Sequence, residues 1–189
     1  MHTLLLTGFV PFLTHAENPS QLIAEALHNR IIAGTRIHSL ILPVAFGPDR
    51  DAAVAAIEEL HPVAVISLGL AANSTEIRVE RIALNLRASD DNSTEIPILP
   101  TAPAAYFSTL PVDKIATAIH QQNIPAKAHT NAGNYVCNHL MFQLLHHFAP
   151  NTPHTPSGFI HVPNTIIPFP QLVQAITTAI DITLTPQKN

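Results

Sequence analysis

The chain uses cysteine once, as Cys137, inside the stretch HTNAGNYVCNHLMF that runs from His129 to Phe142. Small polar residues and Gly133 precede it, and an apolar helical pattern follows, so Cys137 falls where a predicted helix begins. The first turn of a helix carries partial positive charge and unpaired N–H groups. Both favour a thiolate, the reactive form of cysteine, and the same N–H groups can hold an oxyanion. The alternative reading is a small buried hydrophobe, the commonest use of a lone cysteine. A nucleophilic thiol needs a base and a group to orient that base. Of the 12 histidines, His161 in GFIHVPN is the best placed, near the end of a predicted strand. Catalytic groups of open α/β sheets gather at the carboxyl ends of strands. His139 lies on a different face of the helix from Cys137, and His146 and His147 sit at its far end, directed toward terminal carbonyls or solvent. Glu80 is an acid within the apolar run RVERIAL. It either meets a buried partner, because burial alone is costly, or faces solvent or Arg78.

These residues depend on an alternation of strands and helices. Strands are predicted over residues 2–9, 35–44, 63–70, 77–87, 126–131 and 158–163, from continuous or alternating apolar runs. Helices are predicted from Ser20, as cap, to about Arg30, and over 49–60, 112–122, 136–148 and 169–182. The stretch 89–105 is polar and then proline-rich and reads as a long loop, a kind of segment that is often functional. The order implies an α/β protein, a three-layer α/β/α sandwich around a mostly parallel sheet. No internal repeat or linker divides residues 1–189, which are expected to form one domain.

Composition narrows the function. Charged residues make up only 12% of the 189, and Lys plus Arg number nine without a basic run, which argues against a nucleic-acid surface. No apolar window is long enough to span a membrane, and the N-terminal run has neither a basic region nor a cleavage site, so no membrane role or signal peptide is expected. A single cysteine excludes an internal disulfide and a Cys-rich zinc site, and no HExxH spacing occurs, so no metal is expected.

Several segments together resemble the pyroglutamyl peptidase type I family of cysteine peptidases. Thr7-Gly8-Phe9-Val10-Pro11-Phe12 with Asn18-Pro19-Ser20 is similar to the family's opening motif, and Glu80 to Asn85 to its E-x-x-A-x-N motif. Gly133 to His139 resembles its cysteine motif and Gly158 to Pro163 its histidine motif, all in the right order. The resemblance implies a cytoplasmic omega-peptidase that removes N-terminal pyroglutamate from small peptides without a metal or organic cofactor. It implies a homo-oligomer, dimer or tetramer; the apolar loop Pro163 to Pro170 reads either as an interface or as packing on its own domain. Cys137 would attack the carbonyl, His161 would move the proton, and Glu80 would orient the imidazole. Phe9 and Phe12 would supply faces for the small flat ring. Asn18 would order the site or bind the ring, and Leu70, Tyr135 and Val136 would complete the pocket. Tyr135 stands where the family tends to have phenylalanine.

The chain departs from the family pattern at three places. Gly69-Leu70-Ala71-Ala72-Asn73-Ser74 replaces a G-x-A-G-G-R stretch. Arg87-Ala88-Ser89-Asp90-Asp91-Asn92 replaces D-A-R-I-P-D-N, whose arginine is implied to serve the oxyanion, leaving Arg87 as the substitute donor. Val10 replaces a glutamate, and Leu13-Thr14 replace glycines. Losing an oxyanion donor costs roughly 100- to 1000-fold in turnover. Three readings follow: an active pyroglutamyl peptidase, a thiol hydrolase of another small acyl or lactam substrate, or an impaired homologue that binds.

Overall fold

A computed structural model describes residues 1–12, 16–89, 93–150, 155–164 and 166–185. Leu13-Thr14 and Asp90-Asp91-Asn92, two of the departures above, lie outside the described residues, as does Thr165 in the loop proposed as an interface.

An eight-stranded sheet forms the middle layer, with its strands in the order β2 (Ile31–Ile32), β3 (Thr35–Leu42), β1 (Thr3–Phe9), β4 (Ala64–Leu70), β10 (Ser157–Val162), β5 (Ile77–Leu84) and β8 (Ala105–Phe107). β9 (Ala126–Asn131) pairs with the other edge of β5. β3, β1, β4 and β10 run parallel, as do β5 and β9, whereas β10 meets β5 antiparallel. β4 is buried at every position, which is why AVISLGL reads as an unbroken apolar run rather than an alternation.

Helices cover both faces. On one side α1 (Pro19–Leu27), α3 (Val112–His120) and α5 (Phe169–Leu184) bury Ile23, Ile115, Ile119, Leu172 and Ile176 against Leu4, Leu6, Ile66 and Ile160. On the other, α2 (Pro48–Leu60) and α4 (Val136–Phe148) bury Ile57, Leu140, Met141 and Leu144 against Leu5, Val65 and Phe159. No helix of the described residues is long and apolar enough to cross a membrane.

Three local expectations are corrected. α1 is capped by Asn18, not Ser20: its Oδ1 accepts from the Ser20 N–H at 3.0 Å, and Pro19 takes the first helical turn, where a missing N–H costs nothing. The helix stops at Leu27 rather than about Arg30, with Asn29 in the left-handed region at φ 62°. The stretch 89–105 read as loop contains β7 (Glu95–Ile96), which pairs with β6 (Arg87–Ala88) just before it, and its last residue opens β8.

Candidate active site

Cys137 is the second residue of α4. The chain enters this helix through Gly133, whose φ of 84° is one that L side chains rarely adopt. No side chain caps the end: Tyr135 stands at the N-cap in extended conformation, and the first bond closed is His139 N–H to Tyr135 O at 3.0 Å. The N–H groups of Val136 and Cys137 precede any intrahelical acceptor and point out of the end of the helix beside the thiol. Asn138 holds this end in place. Its amide accepts from Leu84 N–H at 2.9 Å and donates to the carbonyls of Leu84 and Leu86 at 2.8 Å each, tying α4 to the end of β5.

His161 is the penultimate residue of β10 and is 8% exposed. Its Nδ1 lies 2.8 Å from Oε1 of Glu80, and the imidazole also hydrogen-bonds Cys137. Nδ1 being engaged by the carboxylate, Nε2 is the nitrogen left for sulfur. Burial pushes the imidazole down, but attraction and hydrogen bonding to Cys137 and then to Glu80 outweigh it and raise His161 to about 9. Glu80 itself is buried and faces neither solvent nor Arg78; its second oxygen, Oε2, lies 2.8 Å from Nδ1 of His129.

Gly69 makes the meeting possible. It pairs with His161 across β4 and β10, and a Cβ there would stand 2.7 Å from Phe159 Cζ and 2.9 Å from Cys137 Sγ. The thiol occupies the space that this side chain would take.

A cavity of about 200 Å³ opens onto Cys137 and His161. Phe9, Phe12, Asn18, Leu70, Tyr135 and Val136, all singled out in the sequence, line it. Gly133 and Asn134 of the cysteine motif line it too, with Ala132 just before them, and so does Val44, beyond the end of β3, which carried no signal in the sequence. Asn18 is occupied locally: besides capping α1, its Nδ2 donates to Val10 O at 3.1 Å, bracing the exit of β1. Gly8 lets β1 approach that cap, since a Cβ would collide with the Ser20 carbonyl. Arg87 is not among the lining residues. Its guanidinium lies 4.7 Å over the Phe46 ring and donates to Ala88 O at 3.0 Å, while Phe46 packs edge-on against Tyr135.

Two of the other histidines of α4 are tied to polar protein groups. His139 meets the buried Asp49 carboxylate at 2.9 Å, and His146 meets the Tyr106 hydroxyl at 2.8 Å rather than the helix-end carbonyls or solvent. Among the described residues, no group of three or more His, Cys, Asp or Glu could hold a metal ion. The sequence analysis passed over His129, which stands directly opposite Glu80 in the β5–β9 register.

A family model described as pyroglutamyl peptidase matches residues 1–183. The pyrrolidone-carboxylate peptidase of Escherichia fergusonii is 39% identical over 169 residues, 86% of this chain and 78% of that one. The pyrrolidone-carboxylate peptidase of Pyrococcus furiosus is 41% identical over 165 residues, 84% and 79% of the two chains. Among solved structures, pyrrolidone carboxyl peptidase from Thermococcus litoralis superposes with a TM-score of 0.92 at 32% identity, covering 97% of this chain and 94% of that one.

Proposed function

The chain belongs to the pyroglutamyl peptidase family and removes N-terminal pyroglutamate as a cysteine peptidase, and on that premise we propose that Cys137 is its nucleophile, His161 its proton carrier and Glu80 the acid that orients the imidazole. The observation that carries the assignment is the chain of contacts from the sulfur through His161 to Glu80, at the mouth of a small cavity and at a helix N-terminus.

The imidazole holds the thiol proton, and Sγ adds to the carbonyl that joins the pyroglutamyl ring to the next residue. The Val136 and Cys137 N–H groups receive the developing oxyanion, in place of Arg87, which is engaged on Phe46. As the C–N bond breaks, the proton passes from His161 to the leaving amine. A water then gives a proton to His161 and its oxygen to the thioester carbonyl; the C–S bond breaks, free pyroglutamate leaves, and the thiol is restored.

Selectivity follows from the lining. Phe9, Phe12, Leu70 and Val136 offer apolar faces, and no carboxylate stands among the described lining residues. A free N-terminal ammonium would lose its hydration there without gaining a counter-charge, whereas the uncharged lactam carries no such cost. Residues 1–189 act as one peptidase domain, in the cytoplasm, where a free nucleophilic thiol remains reduced. The exposed Ile166 and Phe169 support assembly of a homo-oligomer, a dimer or tetramer, which light scattering coupled to gel filtration measures.

Hydrolysis of a pyroglutamyl-coumarin amide beside the matched alanyl-coumarin amide tests the reading. Release from the first alone, lost in Cys137→Ala, is expected. Release from both, or undiminished release by the variant, refutes it.

A further inference from the structure

Glu80 is shared by two imidazoles. Its Oε1 is 2.8 Å from His161 Nδ1, and its Oε2 is 2.8 Å from His129 Nδ1. The second contact is built into the sheet, because His129 on β9 is the register partner of Glu80 on β5. The same Nδ1 lies 3.1 Å from the Asn131 carbonyl. A carbonyl oxygen can only accept, and an ionised carboxylate can only accept. Nδ1 of His129 therefore carries a hydrogen in either protonation state of the ring, since any change occurs at Nε2.

A carboxylate that is 1% exposed needs donors on both oxygens, because an unpaired charged oxygen away from water is costly. With His161 alone, Oε2 would be orphaned, and the group would gain by rotating toward any other donor. His129 removes that freedom. It does not line the cavity and touches no reacting atom, so it acts through Glu80.

We propose that His129 is a positioning residue for the peptidase reaction, donating from Nδ1 to Oε2 of Glu80 and so holding Oε1 on His161. The inference rests on the assignment of Cys137, His161 and Glu80 above.

Two substitutions separate the donor from the ring. His129→Val suits a strand but cannot donate. His129→Asn places an amide N–H close to where Nδ1 stood. Each is made in the parent chain and with Glu80→Gln, and kcat, KM and the pH profile are measured on the pyroglutamyl-coumarin amide. The rate of Cys137 alkylation by iodoacetamide against pH is measured beside them. His129→Val is expected to lower kcat about tenfold, the size of one charge-assisted hydrogen bond, with KM changed by less than about twofold. Alkylation near neutrality is expected to slow and its rise to move to higher pH, because a displaced Glu80 supports the imidazolium less. His129→Asn restores both, and with Glu80→Gln the valine substitution adds little.

The proposal is overturned if His129→Val leaves kcat and the alkylation profile unchanged. It is equally overturned if His129→Asn behaves like valine, or if the loss is as large beside Glu80→Gln, which marks a merely structural role. Should His129→Val fail to fold, His129→Leu, which fills the space of the ring without a donor, takes its place. Absence of turnover by the parent chain refutes the peptidase reading instead, and the alkylation profiles then decide the role of His129 alone.

Discussion

Glu80→Gln tests the proposed proton carrier most directly. The substitution keeps the shape of the side chain and removes its charge. The parent carboxylate accepts from His161 Nδ1 at 2.8 Å while buried, and both its hydrogen bond and its charge push the imidazole up, toward about 9. A hydrogen bond to a charged group contributes about 1.5–3 kcal/mol. One pKa unit corresponds to about 1.4 kcal/mol, so the imidazolium should lose roughly one to two units. The sign follows from the mechanism. In the proposed mechanism protonated His161 donates to the leaving amine, so activity falls as pH rises through its pKa. The parent is expected to show an alkaline limb in kcat/KM near 9, and Glu80→Gln to show it nearer 7–8. At pH 7 the same loss of imidazolium stabilisation lowers kcat by about 10- to 100-fold. The assay is coumarin release from pH 5 to 10, with circular dichroism at each end to verify folding. An alkaline limb that stays at the same pH in Glu80→Gln would falsify the assignment of Glu80 as the group supporting His161, whatever happens to the rate.

Three further substitutions probe the surroundings. Gly69→Ala puts a Cβ against both Phe159 and Sγ of Cys137; we expect a loss of about 1–3 kcal/mol by thermal unfolding and a fall in kcat of at least tenfold as the thiol is displaced, and parent-like values in both would show that the space is not needed. Arg87→Ala removes the guanidinium from Phe46, and a change in KM of a few-fold with kcat nearly intact is expected; a 100- to 1000-fold fall in kcat would instead return the oxyanion role to this arginine. Asn18→Ala deletes the cap of α1 and the brace on Val10 O. Its expected cost is about 1 kcal/mol in denaturant unfolding together with a raised KM, and a change in stability without any in KM would confine Asn18 to the helix cap.

What was legible in the sequence was what local pattern determines. The unbroken run of β4, the apolar spacing of α4 and the end of β10 at Val162 set the layers, and with them the positions of Cys137 and His161. What was not legible depends on partners far along the chain. Glu80 could be read as solvent-facing because His161, 81 residues on, and His129, 49 residues on, are brought to it only by the pairings of β5 with β10 and β9. His146 could be read toward the helix end because its partner Tyr106 is 40 residues away, on a three-residue strand that exists only through its pairing with β5. The antiparallel junction of β10 with β5 is the decisive step. It sets Arg78 beside His161 in register and Glu80 within reach of its Nδ1, while the parallel junction on the opposite edge of β5 delivers His129 to the same carboxylate. A sequence motif can name the acid of such a site, but the donor that fixes its second oxygen is specified by strand register, and a register is visible only when both strands are.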